Sequence, residues 1–201
     1  MYTVYGQAIS GNCYKLKLCL SQLRLPFRWV ELDILAGATH TPEFLIMNPN
    51  GQVPVPGIDA ETYLPESNAG LCYLADGTHL FPSEKLPRAR VLQWLFWEQN
   101  SHEPWVAGAR FILKMAGGGP EHQARLAICH KRGVEALDRL ELRLGLYPFL
   151  TGDSYTIADL ALYAYTHVAD EGGFDMKRYP AIRTWLDRVA AQPDHVKMLE
   201  A

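Results

Sequence analysis

Over the first eighty residues the hydrophobic pattern switches repeatedly between two periods. Tyr2 to Tyr5 alternates as a short strand. From Asn12, the residues Cys13, Leu16, Leu20 and Leu23 recur at helical spacing until Pro26 stops the run. Phe27 to Leu32 has the β-branched and aromatic character of a second strand. Thr41-Pro42 predicts a helix start, with Thr41 as N-cap and Pro42 at the first helical position, where its missing N–H is no loss. Gln52 to Ile58 and Thr62 to Leu64 predict two strands joined by a polar turn at Asp59 to Glu61, and Ser67 opens a helix to about Ala75. The order is βαβαββα.

After Leu80-Phe81-Pro82 the strand signals cease. Arg88 to Gln99 and Val106 to Met115 predict helices, and Gly117-Gly118-Gly119-Pro120 then breaks the chain. Leu126, Cys129, Leu137, Leu140 and Leu144 place an apolar stripe on a long helix with arginines opposite. Thr156-Ile157-Ala158-Asp159 is a capping box, with Tyr155 and Leu160 at the positions of a hydrophobic staple. It reads as a folding device. Tyr179-Pro180 starts a last helix that ends near Pro193. An α/β half followed by an all-helical half predicts two domains, residues 1–78 and 87–201.

Composition narrows the classes. With 48% apolar and 20% charged residues the chain can build an ordinary soluble core. The net charge of −3 is spread along the chain, without the basic stripe that nucleic acid would require. No run approaches the roughly 18 apolar residues of a membrane span, and the N-terminus reads as a strand rather than a leader. The expectation is a cytoplasmic protein with no membrane partner. Cys13, Cys19, Cys72 and Cys129 have no metal-ligand spacing and no Cys-x-x-Cys, so neither a metal nor a disulfide framework is expected.

Three segments together carry a family resemblance over almost the whole chain. Thr41 to Val55, with its Asn48-Pro49-Asn50-Gly51-Gln52-Val53-Pro54 core, resembles the second helix and third strand of glutathione transferases. Glu66-Ser67-Asn68-Ala69 followed by Tyr73-Leu74 resembles the segment that family uses for the glutamyl end of glutathione. Thr151-Gly152-Asp153 through Leu160 resembles its C-terminal capping motif. The resemblance implies a thioredoxin-like domain, an all-helical domain and a homodimer. The run Ser10-Gly11-Asn12-Cys13-Tyr14-Lys15 looks most like bacterial members of the serine or asparagine type, not the tyrosine classes.

The implied chemistry starts at the thiol. With a reference pKa near 8.5, only about 3% of a cysteine thiol is ionised at pH 7, and lowering the value by about two units needs roughly 2.7 kcal/mol. A charge-assisted hydrogen bond and a helix N-terminus both favour the anion. Ser10 and Asn12, between the first strand and first helix, are the expected donors; alternatively either one simply caps the helix. Cys13 has two readings: a first-turn thiol of lowered pKa, or a small apolar residue in the stripe. Tyr5 reads as core, and Lys15 as an exposed helical charge.

The rest of the tripeptide site also comes from the resemblance. A cis Val53–Pro54 bond would aim the Val53 backbone at the cysteinyl residue. Glu66 and Ser67 would take the glutamyl end, with Ser67 otherwise a plain N-cap. His40 and Gln52 would meet the glycyl end, although His40 also fits a solvated loop. An apolar electrophile would lie against His102, Trp105, Arg110 and Phe111, residues that otherwise simply pack. Pro56, Gly70 and Pro65 depart from the commoner family pattern and bear on glutathione affinity. The competing functions are a glutathione-dependent disulfide reductase or peroxidase, a dehalogenase or isomerase using glutathione, and a non-catalytic binding relative.

Overall fold

A computed structural model describes residues 1–199. The chain divides into two compact units: Met1–Thr78 together with the segment from Gln192 onward, and His79–Ala191. The return of the last segment to the first unit departs from the expectation that 87–201 is one domain; Glu200 and Ala201 lie outside the described residues.

The first unit is α/β and thioredoxin-like. Strand β1 (Tyr2–Gly6) pairs in parallel with β2 (Phe27–Glu31) and antiparallel with β3 (Val55–Gly57), giving the order β2-β1-β3. Helix α1 (Gly11–Gln22) is the crossover that a parallel pair requires. Helices α2 (Pro42–Met47) and α3 (Ser67–Ala75) complete the unit, and α3 packs on α1. The core includes Val4, Leu16, Leu18, Leu20, Val55 and Leu71, all fully buried or nearly so.

The expected fourth strand is reduced to a single bridge between Gly57 and Tyr63. Prolines explain the loss. The Pro56 carbonyl accepts from Leu64 N at 3.0 Å, so its nitrogen also faces that edge, where it has no hydrogen to donate. Asp59 closes the turn by accepting from the Glu61 and Thr62 amides at 3.0 and 2.9 Å.

The C-terminal segment runs along α1. Tyr14 Oη donates to the Val196 carbonyl at 2.7 Å, Ser21 Oγ to the Asp194 carbonyl at 2.8 Å, and Arg24 Nε pairs with the Asp194 carboxylate at 2.7 Å.

The second unit is all-helical: α4 (Lys85–Trp97), α5 (Glu103–Arg110), α6 (Gln123–Leu144), α7 (Ile157–Thr166) and α8 (Pro180–Ala190). The two expected helices of residues 88–115 form one nearly continuous column. α4 passes into a π-helical turn at Glu98–His102, and α5 into another at Phe111–Met115. Pro104 has no N–H for the ordinary ladder, and the first wide turn closes instead through Glu103 N to Glu98 O. On α6 the apolar stripe faces inward at Cys129, Leu137, Leu140 and Leu144, with Gly133 and Ala136 between them; Leu126 is only half-buried.

The capping box forms and carries more than a cap. The Asp159 carboxylate accepts from Thr156 N at 3.0 Å, the Thr156 hydroxyl at 3.3 Å, Leu150 N at 2.9 Å and Trp185 Nε1 at 3.0 Å. It thereby joins the loop before α7 to α8. Burial pushes its carboxyl up to about 6, although these donors pull it down.

Candidate functional site

The polar groups of the first unit converge where the start of α1 meets the start of α3. Ser10 is the N-cap of α1, with extended backbone and its Oγ accepting from Cys13 N at 3.4 Å. A hydroxyl has two lone pairs and one proton. Capping draws on a lone pair, so the cap and the donor reading of Ser10 are compatible. Asn12, one residue into the helix, accepts from the Ser67 hydroxyl at 3.3 Å through its Oδ1.

Ser67 is the first residue of α3 and is buried. The N-cap is Glu66, not Ser67; it is exposed and left-handed at φ 76°, a conformation that non-glycine residues rarely adopt. Glu66 thus presents a carboxylate to solvent at a helix start, with the Ser67 hydroxyl directly inside it.

Lys15 is the principal correction in this unit. It is not an exposed charge: the residue is 0% exposed, and its Nζ donates to Ser67 Oγ at 3.3 Å and Asn68 Oδ1 at 3.2 Å. Asn12 and Lys15 stand at i and i+3, one above the other on a single helix face. Asn68, within the Glu66-Ser67-Asn68-Ala69 segment, thus helps to hold the lysine.

Cys13 resolves to its apolar reading. Its side chain lies beneath Gly6, where an added Cβ would meet Sγ at 3.0 Å, and Gln7 N donates to the sulfur at 3.4 Å. Burial pushes this thiol up to about 11, against the pull of Ser10, Gln7 and Lys15; Glu31 adds to the rise. A group so placed is not a thiolate near neutrality. Tyr5 packs edge-on to Tyr63 at 6.2 Å, away from the loop.

Ahead of β3 the Val53–Pro54 bond is cis. Gln52 is exposed and its carbonyl accepts from Asn48 Nδ2 at 2.8 Å. His40 is exposed at the end of a 3-10 turn, Ala38–His40, and lies over Gly51, where an added Cβ would come within 2.7 Å of the imidazole. Gly51 also has φ 63°, a backbone conformation that favours glycine.

The four expected electrophile contacts of the helical unit do not come together. His102 is fully buried, with Nε2 3.0 Å from Thr166 Oγ1, and takes its place in the core rather than on a binding surface. Arg110 is also buried and its Nε pairs with Glu171 at 2.7 Å, so its charge serves the packing of α5. Trp105 lines a cleft of about 430 Å³ with Trp97, Asn100, Arg132 and Arg139. Phe111 lines a different one of about 470 Å³, with Pro104, Ala107, Ile112 and Tyr165. Among the described residues no cluster of His, Cys, Asp or Glu could hold a metal ion, and no helix is long and apolar enough to cross a membrane.

Comparison with known proteins gives the family. The N-terminal domain of glutathione S-transferases matches residues 1–76, and the C-terminal domain matches residues 120–188. This chain belongs to the glutathione S-transferase family. A glutathione S-transferase from Pseudomonas fluorescens Pf-5 is similar at 54% identity with a TM-score of 0.97, covering 99% of each chain. A family member from the same organism, solved with two glutathione molecules bound, has a TM-score of 0.87 at 26% identity over 99% of this chain and 92% of its own. The disulfide-bond oxidoreductase YfcG of Escherichia coli K12 is 32% identical over 92% of this chain and 89% of its own.

Proposed function

We propose that the protein ionises the thiol of glutathione and transfers it to small apolar electrophiles. The thiolate sulfur forms a bond to an electrophilic carbon; the leaving group departs with the bond electrons, and the thiol proton goes to solvent before attack. The observation that carries this reading is the pairing of Asn12 with Ser67 between the starts of α1 and α3. Two helix starts are thereby brought together, and helix N-termini suit a ligand with a thiolate and a carboxylate. Ser10 donates to the sulfur and Asn12 assists, as in the serine or asparagine type. Val53 pairs with the cysteinyl backbone, Glu66 and Ser67 hold the glutamyl ammonium and carboxylate, and His40 with Gln52 meets the glycyl end. The Phe111 cleft, lined by Pro104, Ala107, Phe111, Ile112 and Tyr165 although Glu103, His122 and Arg125 also border it, suits the electrophile better than the Trp105 cleft with its two arginines. We place the protein in the cytoplasm as a homodimer; Cys13, Cys19, Cys72 and Cys129 are all free thiols.

One observation favours a second reading. The similarity to an oxidoreductase of disulfide bonds supports glutathione-dependent disulfide reduction. In that case a thiolate of bound glutathione attacks the disulfide and a second glutathione releases the mixed product, since Cys13 is held as a thiol. Calorimetry with glutathione, conjugation of 1-chloro-2,4-dinitrobenzene and reduction of hydroxyethyl disulfide test both. Conjugation supports the first reading and disulfide reduction alone supports the second. A folded protein that shows no saturation with millimolar glutathione overturns both.

A further inference from the structure

Lys15 is a fully buried lysine at the proposed glutathione site, and it links α1 to α3. Taking an ammonium out of water costs several kcal/mol, and an apolar side chain of similar volume at such a position is often neutral or stabilising. The lysine donates to two neutral oxygens, Ser67 Oγ and Asn68 Oδ1. An ammonium has three donors and no acceptor, so Ser67 meets it with a lone pair and turns its own proton elsewhere. That proton goes to Asn12 Oδ1 at 3.3 Å. The amide oxygen of Asn12 is thereby drawn toward α3, which sets the direction of its NH2 edge.

We infer that Lys15 is a positioning residue of this site: acting through Ser67, it orients Asn12 and locks the thiol end and the glutamyl end of the site together. The inference rests on the glutathione reading above. It also has an electrostatic side. Among the described residues, the charged groups at this end of the unit include Lys15 on α1, Glu31 at the end of β2 and Glu66 ahead of α3. Glu31 is tied to the thiol loop, accepting from Ala8 N at 3.0 Å and Trp29 Nε1 at 2.6 Å. The Cys13 thiol senses both charges with opposite sign, Glu31 opposing the anion and Lys15 favouring it. A sulfur bound at the loop that Glu31 holds, near the same helix start, would sense the same two charges.

The experiment is a pH titration of thiolate absorbance with glutathione bound, in wild type, Lys15→Met, Ser67→Ala and Glu31→Gln, after calorimetry has established that wild type saturates. Lys15→Met should raise the midpoint by on the order of one unit, and Glu31→Gln should lower it. The loss in kcat/KM should be about tenfold at pH 6.5 and shrink toward pH 9, where the thiolate forms without help; a purely structural role would lower activity equally at both. Ser67→Ala should raise the midpoint as Lys15→Met does, and the double variant should add little, because both cut one chain of bonds. If Lys15→Met does not fold, Ser67→Ala decides alone. An unchanged midpoint in a folded variant that still binds glutathione overturns the inference and leaves the glutathione reading standing. Failure of wild type to bind glutathione overturns both.

Discussion

Removing the Asp159 carboxylate should destabilise the helical unit well beyond the loss of a helix cap. An N-cap substitution typically costs about 0.5–2 kcal/mol. Asp159, however, is fully buried and accepts from three N–H groups besides a hydroxyl: Thr156 N, Leu150 N and Trp185 Nε1, at 2.9–3.0 Å. The Thr156 hydroxyl can rotate, whereas the three N–H groups are fixed in direction. Each buried donor left unsatisfied costs about 1–3 kcal/mol, and relaxation recovers part of the sum. The expected loss for Asp159→Ala is about 3–5 kcal/mol. Asp159→Asn should lose about half as much, since its remaining oxygen can keep Leu150 and Trp185 while its NH2 meets the Thr156 amide, donor against donor. Urea unfolding followed by tryptophan fluorescence measures both through the shift in midpoint at constant slope. Glutathione thiolate formation below the transition should be unchanged. A loss for Asp159→Ala of about 1 kcal/mol or less, the scale of a simple cap, would refute the network and leave only the capping box.

The same carboxyl predicts a pH dependence. With a native value raised to about 6 from 3.8, the folded state holds this proton more tightly than the unfolded chain, so the contribution is full below pH 3.8 and is lost as pH rises through 6. Wild type should therefore gain about 1 kcal/mol relative to Asp159→Asn between pH 7 and pH 5; a constant or opposite difference in urea midpoints refutes the direction. Cys13 and Cys19, buried and raised to about 11 and 12, should resist an aromatic disulfide reagent at pH 8 while half-buried Cys72 reacts. Cys13→Ala should change glutathione turnover less than about twofold; a tenfold loss would return the thiolate reading. Arg110→Leu should cost about 1–3 kcal/mol by freeing Glu171, which keeps Lys114 at 3.3 Å. It should leave the KM for chlorodinitrobenzene unchanged, and a raised KM would restore Arg110 to the electrophile site.

Local grammar in this chain was legible residue by residue. Thr41 caps α2, accepting from Phe44 N at 3.3 Å, Ser10 caps α1, and Thr156 with Asp159 forms the box, because each depends on neighbours within four positions. What the sequence hid depends on distance. Nothing local distinguishes Lys15 from Lys17, yet only Lys15 lies on the face that α3 covers. The burial of His102 and Arg110 escaped the sequence for the same reason. His102 and Arg110 carry polar groups at plausible positions, but the wide π-helical turns on either side of α5 decide which residues face inward. Their local geometry depends on Pro104 and on packing, which no hydrophobic period encodes. The fourth strand failed where a missing N–H at Pro56 outweighed a good alternating pattern.

The departures from the family pattern at Pro56 and Gly70 are better understood as one feature than as two defects. A Cβ on Gly70 would stand 2.8 Å from Leu16 Cδ2 and 3.3 Å from Pro56 Cγ. The proline ring on β3 and the leucine on α1 therefore occupy the space that an aliphatic residue on α3 would fill. Glycine costs the helix about 1 kcal/mol relative to alanine, and the return is a close approach of α3 to α1. Gly70 lies one turn beyond Ser67, so the approach occurs beside the bonds from Lys15 to Ser67 and Asn68. At 3.2–3.3 Å those bonds have little slack, since a displacement of half an ångström would carry them out of hydrogen-bond range. The unusual pair thus bears on the proposed site through the spacing of two helices. In the proposed site, the glutamyl end would then be set by how closely α3 lies on α1, and not by the identity of Glu66 and Ser67 alone.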